Sequence, residues 1–267
     1  MQGIGNDYIF VNEKDAPFLN KKEFARKASD RHFGIGGDGV VFYSAENGKY
    51  AMRIFNSDGS EAGICGNALR CLGKLLYEKG FTKEKTFEIN TRSGGRRVWV
   101  DVKNGVVDRI AVNMEKPSFF SPDIPSTGIG KPFLNEKVSV DGKVFSLNAV
   151  SVGNPHCVIF KKISSQDFFK YGRYFSSSSL FPSGANVEFV EISEKNVLEI
   201  RVYERGSGET MACGSGATAA FAVAFKLGLV EKTAYAVMAG GELKLSMEEG
   251  GRIIMSGKAG YCFEGSL

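Results

Sequence analysis

Two cysteines stand out by their local context. Cys65-Gly66 opens the run CGNALRCLGKLLYEKG and Cys213-Gly214 opens CGSGATAAFAVAFKLG, each a turn-like entry into an apolar helical stretch that closes on glycine, Gly80 or Gly228. A thiol at a helix start meets unpaired backbone N–H groups and the positive end of the helix dipole. This environment predicts a thiol drawn down from about 8.5 toward the working pH, able both to remove a proton and to return one. Two such thiols on opposite faces of one carbon would invert it, with the sulfurs about 6 to 7 Å apart for contacts of roughly 3 to 3.5 Å on each side. The charge left by an α-carbon that loses its proton spreads into the adjacent carboxylate. The backbone amides of Gly66, Asn67, Gly214 and Ser215 are assigned to that carboxylate, and a single donor of this kind is worth about 2.7 to 4 kcal/mol. Such chemistry requires no pyridoxal phosphate and no metal, so no cofactor is expected.

The elements that would carry the cysteines are duplicated. Gly5-Asn6 recurs as Gly153-Asn154, Arg53-Ile54-Phe55 as Arg201-Val202-Tyr203, Glu61 as Glu209, Cys65-Gly66 as Cys213-Gly214 and Gly80 as Gly228, always 148 positions on. Asp38 in GIGGDG faces Asn186 in SGANVEF at the same offset. Each copy begins with a strand, GNDYIFVNE or GNPHCVIFKK, and continues with a second, KYAMRIF or VLEIRVY. After the cysteine helix come two strands broken by Gly-Gly, FEINTRSGGRRVWVDV and YAVMAGGELKLSM, which read as hairpins. The second helix is apolar nearly all round and is expected to lie wrapped in its own domain. The expected class is α/β (α+β), with two pseudo-twofold-related domains, residues 1–115 and 116–258, and a tail, 259–267, that can pack with the first. The proline-bearing stretch 115–131 reads as the connection between them, and the active site is expected in the interdomain cleft.

The remaining signals narrow the class. The chain has 267 residues, 43% of them hydrophobic, and its formal charge of +4 arises from 34 basic and 30 acidic side chains mixed without a basic run. A nucleic-acid partner needs a concentrated positive footprint and is not expected. The opening MQGIGNDYIF lacks a basic segment followed by a sustained apolar one, so no membrane association and a soluble cytoplasmic protein are expected. Five cysteines without a secretion signal read as reduced thiols, with Cys71, Cys157 and Cys262 as core residues. The glycines from Gly34 to Gly39 follow a helix-like ARKASDRHF and fail the context of a dinucleotide loop. Gly128-Ile129-Gly130-Lys131 lacks the flanks of a P-loop, the serines at 176–179 read as a solvated loop, and His32 and His156 lack the spacing of a zinc site.

Taken in order, GIGNDY (3–8), FNSDGSEAGICGN (55–67), GNPH (153–156), NVEF (186–189) and RVYERGSGETMACGSGATA (201–219) resemble the diaminopimelate epimerase family over nearly the whole chain. The resemblance implies a pair of catalytic cysteines matching Cys65 and Cys213, and two domains that each wrap a curved mixed sheet or barrel around a central helix. It further implies interconversion of LL- and meso-2,6-diaminopimelate in the synthesis of lysine and peptidoglycan precursors, and a homodimer. The non-reacting end of the substrate would be held by Asn6, Asn56, Asn154, Asn186, Glu204 and Arg205, with the Arg fork suited to a carboxylate and carboxyl or amide oxygens suited to an ammonium. His156, within GNPH, is expected to orient the site. Two positions depart from the family pattern: Gly39 stands where many relatives carry Gln, and Ala68 where they carry Gly. The rival readings are histidine racemase, which would differ mainly in the distal pocket, a thiol redox protein, for which the usual C-x-x-C pair is missing, and a binding module without catalysis.

Overall fold

The computed structural model describes residues 1–16, 20–128 and 130–266. Ile129, within the Gly128-Ile129-Gly130-Lys131 stretch, and Leu267, at the end of the tail read at 259–267, lie outside the described residues. The chain forms two compact units, one built from Met1–Asn113 with the stretch beginning at Ser256, the other from Met114–Met255.

In the first unit, strand Asn6–Asn12 runs parallel to Gly39–Glu46, which pairs antiparallel with Lys49–Asn56. Lys49–Asn56 runs parallel to Thr86–Thr91, and that strand forms the expected hairpin with Gly94–Lys103. Val106–Asn113 adds an antiparallel neighbour to Gly94–Lys103. The second unit repeats the plan. Pro155–Phe160 is parallel to Asn186–Glu194, which is antiparallel to Val197–Glu204, which in turn is parallel to Thr233–Met238 and its hairpin partner Gly241–Met247. The duplication extends to an ion pair: Arg53 grips Glu61 with both arms at 2.8 and 3.1 Å, and Arg201 grips Glu209 at 2.9 and 3.1 Å.

Among the described residues four α-helices accompany these strands: α1 (Lys21–Ser29), α2 (Gly66–Glu78), α3 (Ser165–Ser176) and α4 (Gly214–Lys226). α2 and α4 are the central ones, with Gly66 to Leu76 buried without a break and α4 buried from Gly216 to Ala224. α2 lies against the strands Gly94–Lys103 and Val106–Asn113 so closely that a Cβ at Gly73 would stand 2.7 Å from Val98 Cγ1. Both helices stop as the sequence predicts. Gly80 and Gly228 adopt φ of 77° and 72°, a left-handed conformation in which a side chain would be strained.

Several expectations are corrected here. The helix before GIGGDG ends at Ser29, and Asp30 Oδ1 then turns the chain by accepting from the backbone of His32 and Phe33. Ser176 is the buried last residue of α3, bonded to Ala185 O at 2.7 Å, so the solvated loop begins one residue later. The stretch 115–131 belongs to the second unit, because Ser118 pairs with Ser151 through two backbone bonds of 2.8 Å and Ile124 joins that unit's core. Among the described residues no helix is long and apolar enough to cross a membrane.

Candidate active site

Cys65 and Cys213 occupy the same place in their units. Each is the N-cap residue of its helix, extended at φ −140° and −128°, and at Cys213 the sulfur accepts the capping hydrogen bond from the Gly216 amide.

At the first thiol, Cys65 Sγ donates to Asn6 Oδ1 at 3.5 Å, and the same oxygen accepts from Asn67 Nδ2 at 3.0 Å. Asn6 is held in that orientation from behind, since its Nδ2 donates to Asp38 Oδ2 at 2.6 Å. Asp38 also accepts from the Asp7 amide and from Arg31. Burial pushes the Cys65 thiol up, while the amides of Ala68 and Asn67, the Tyr8 hydroxyl and the Arg70 guanidinium pull it down. Arg70 is fully buried one helical turn on, and burial pushes its own titration down to about 10.

At the second thiol, Gly216 N donates to Cys213 Sγ at 3.3 Å and Ser215 Oγ lies 3.4 Å away. Burial pushes this thiol well above its ordinary value and the Glu204 and Glu188 carboxylates add to the effect, against the Ser215 hydroxyl and the Gly216 amide. Glu204 accepts from Thr210 Oγ1 at 2.5 Å and makes a side-chain hydrogen bond with Cys213, and burial raises its carboxyl above the usual range. His156 is fully buried between Glu188, 2.7 Å from Nδ1, and Asn154 Oδ1, 3.0 Å from Nε2. Asn186 Oδ1 accepts from Arg205 N at 2.9 Å. The exposed Arg205 guanidinium bonds Ser183 O and lines an open cleft of about 510 Å³ shared with Arg173, Ser177 and Tyr203.

The helix-start geometry is as expected, yet its electrostatic outcome is reversed. Amide groups do pull both thiols down, but burial costs each thiolate more solvation than a few N–H groups restore. Asn6 and Asn67 gather at Cys65, and Ser215 and Glu204 at Cys213. Asn154, His156 and Glu188 form a chain beside the latter. Asn56 is turned instead into its own loop, where Nδ2 donates to Ser60 Oγ at 3.0 Å. Cys71 and Cys157 are buried as expected, whereas Cys262, expected in the core, is exposed on a tail segment outside any strand or helix. Sequence reasoning missed Tyr8, Arg70 and Glu188. The offset of 148 was a usable signal for two of them, since Tyr8 answers to His156 and Arg70 to Thr218, side chains that occupy equivalent ground in the two copies.

A family profile described as diaminopimelate epimerase matches residues 1–120 and 148–262. Over its full length the chain is 43% identical to the diaminopimelate epimerase of Phocaeicola vulgatus and 40% identical to that of Acetivibrio thermocellus, covering 96% of each. It is 39% identical to the Methanococcus maripaludis enzyme of the same name and covers 98% of it. Among solved structures, a phenazine biosynthesis protein of the PhzF family from Bacillus anthracis is similar with a TM-score of 0.66 at 16% identity, over 96% of this chain and 91% of that one. A probable proline racemase from Agrobacterium radiobacter is similar with a TM-score of 0.62 at 13% identity, over 89% and 78%. These two likenesses are of fold, the two-domain α/β architecture.

Proposed function

The chain belongs to the diaminopimelate epimerase family, and from that premise we propose that it interconverts LL- and meso-2,6-diaminopimelate without a cofactor, with Cys65 and Cys213 as the acid–base pair. The observation that carries this reading is that both thiols are N-cap residues of duplicated central helices, each with a polar partner at the sulfur, Asn6 at Cys65 and the Gly216 amide and Ser215 at Cys213.

One cysteine, as thiolate, takes the α-proton while the other, as thiol, donates a proton to the same carbon from the opposite side. The net charge of the pair is unchanged, and the two sulfurs exchange protonation states. The helix-start amides of Gly66, Asn67, Gly214 and Ser215 receive the substrate carboxylate as it accepts the developing charge. Burial favours the protonated form of both thiols, so the thiolate is formed with help from the substrate's own ammonium groups and from Arg70 on the Cys65 side. Asn6, Asn56, Asn154, Asn186, Glu204 and Arg205 are assigned to the remaining amino-acid end and His156 to orienting the site. A homodimer and a cytoplasmic location are part of the reading; the first rests on the family resemblance, the second on the opening residues and the reduced cysteines.

The test is incubation of reduced protein with LL-diaminopimelate in D₂O. The expected result is α-deuterium uptake together with meso product, lost in both Cys65→Ala and Cys213→Ala. No exchange by folded, reduced protein would refute the activity, exchange with histidine in place of diaminopimelate would reassign the substrate, and full turnover in either single variant would remove the two-thiol mechanism.

A further inference from the structure

Beside Cys213 lies a pair of ionisable side chains to which the reaction gives no protons. Glu188 and His156 are both fully buried, with Nδ1 2.7 Å from Glu188 Oε1 and Nε2 3.0 Å from Asn154 Oδ1. The amide oxygen is an acceptor, so Nε2 carries a hydrogen. The 2.7 Å contact needs a second hydrogen, held by Nδ1 or by the carboxyl. The pair is then neutral overall, the state in which a carboxylate and an imidazole can be buried together. Burial raises the Glu188 carboxyl and the His156 charge opposes it, as such proton sharing requires.

The pair has no counterpart at the equivalent positions of the first unit. At the positions 148 earlier stand Tyr8 for His156, Val40 for Glu188 and Ala68 for Gly216, and both Val40 and Ala68 are fully buried apolar fill. In the second unit a Cβ at Gly216 would lie 3.0 Å from Glu188 Oε1 and 3.3 Å from Cys213 Sγ. The glycine therefore makes room for a carboxylate beside the thiol.

We propose that Glu188 is a positioning residue of the Cys213 half-site: it locks His156 in the Nε2–H form, and His156 locks the Asn154 amide with its oxygen inward, so that the Asn154 NH₂ group is offered to a ligand oxygen. The last step rests on the reading of Asn154 as a substrate contact; the lock itself does not.

The chain has two histidines, His32 and His156, so ¹⁵N-edited imidazole spectra of the full-length protein, assigned with His32→Gln, read the ring directly. The expected result is a hydrogen on His156 Nε2 in the parent and exchange between tautomers in Glu188→Val, which installs the residue type that the first unit buries at the equivalent position. A bare Nε2 in the parent, or an unchanged spectrum in Glu188→Val, overturns the proposal. In turnover, Glu188→Val and Asn154→Ala are each expected to lower kcat/KM about tenfold. The double variant should fall no more than about twofold below the weaker single, because both changes remove one shared contact; multiplicative losses overturn the proposal. If Glu188→Val does not fold, Glu188→Gln serves for both measurements, since its amide can face Nδ1 with either end and again frees the ring. Should the parent fail to epimerise diaminopimelate, the functional reading falls while the spectra still decide the lock.

Discussion

Asn6→Asp exchanges one NH₂ group for one oxygen and leaves volume unchanged, so it isolates charge at the Cys65 half-site. Asn6 Nδ2 donates to Asp38 at 2.6 Å while its oxygen faces Cys65 Sγ at 3.5 Å. A protonated carboxyl reproduces this arrangement, with its O–H on Asp38 and its carbonyl toward the thiol. Ionised, it places a negative charge against Asp38 and beside the sulfur. Like charges sharing a site hold the proton, so the new carboxyl titrates above the ordinary value of about 4. Once it ionises, its repulsion of a thiolate 3.5 Å away is about 5 kcal/mol at an effective dielectric of about 20. Asn6 is only half-buried, and solvent screening reduces this to about 2 kcal/mol, a thiolate population about 30-fold lower. The assay is the rate of Cys65 alkylation by iodoacetamide, followed on the Cys65 peptide by mass spectrometry from about pH 6 to about pH 9. Asn6→Asp is expected to match the parent at the acid end and to fall about 30-fold behind at the alkaline end, with turnover following. The uncharged Asn6→Leu should show no such divergence with pH. Alkylation at the parent rate across the whole range would refute the placement of Asn6 against the thiol.

Gly73→Leu should destabilise the first unit by about 1 to 3 kcal/mol, read as a lower urea midpoint, because its side chain would have to displace Val98 and Ile110 under α2. A stability equal to that of the parent would refute the close helix–sheet contact. Of the five thiols, the exposed Cys262 is expected to be alkylated first and without loss of turnover, whereas Cys71, pushed up to about 12 by burial, and Cys157, raised by the same cause, should react only on unfolding. Glu204→Gln removes a carboxylate that holds the Cys213 thiol up, so Cys213 alkylation at mildly alkaline pH should accelerate while kcat/KM falls; slower alkylation would contradict the sign of that interaction.

The amino-acid sequence alone determined most of the frame. The 148-residue repeat located both cysteines, both central helices with their glycine stops, and the hairpins beyond them, because helix entry, helix exit and hairpin turns are specified by local residue chemistry. It also carried the family, since the motifs stand in order along nearly the whole chain. Strand Gly39–Glu46 and helix α3 went unread, although α3 carries local signals, a Ser164 cap that accepts from Asp167 N and buried Phe168, Tyr171 and Phe175 at helical spacing. The exposure of Cys262 and the bond from Asn56 to Ser60 were likewise invisible without coordinates.

Tertiary structure decided the electrostatics of the thiols. Sequence supplies the helix dipole, which is a local property, but the desolvation that outweighs it depends on how completely the folded chain surrounds each sulfur. The same is true of Glu188. In sequence it is one acidic residue in NVEF, 25 positions from Cys213, and nothing local separates it from a surface carboxylate. Parallel pairing of Pro155–Phe160 with Asn186–Glu194 brings it to His156, and Gly216 in α4 leaves the space that it fills beside the thiol. Burial and proximity across strands are sums over the whole fold, and no window of the chain contains them.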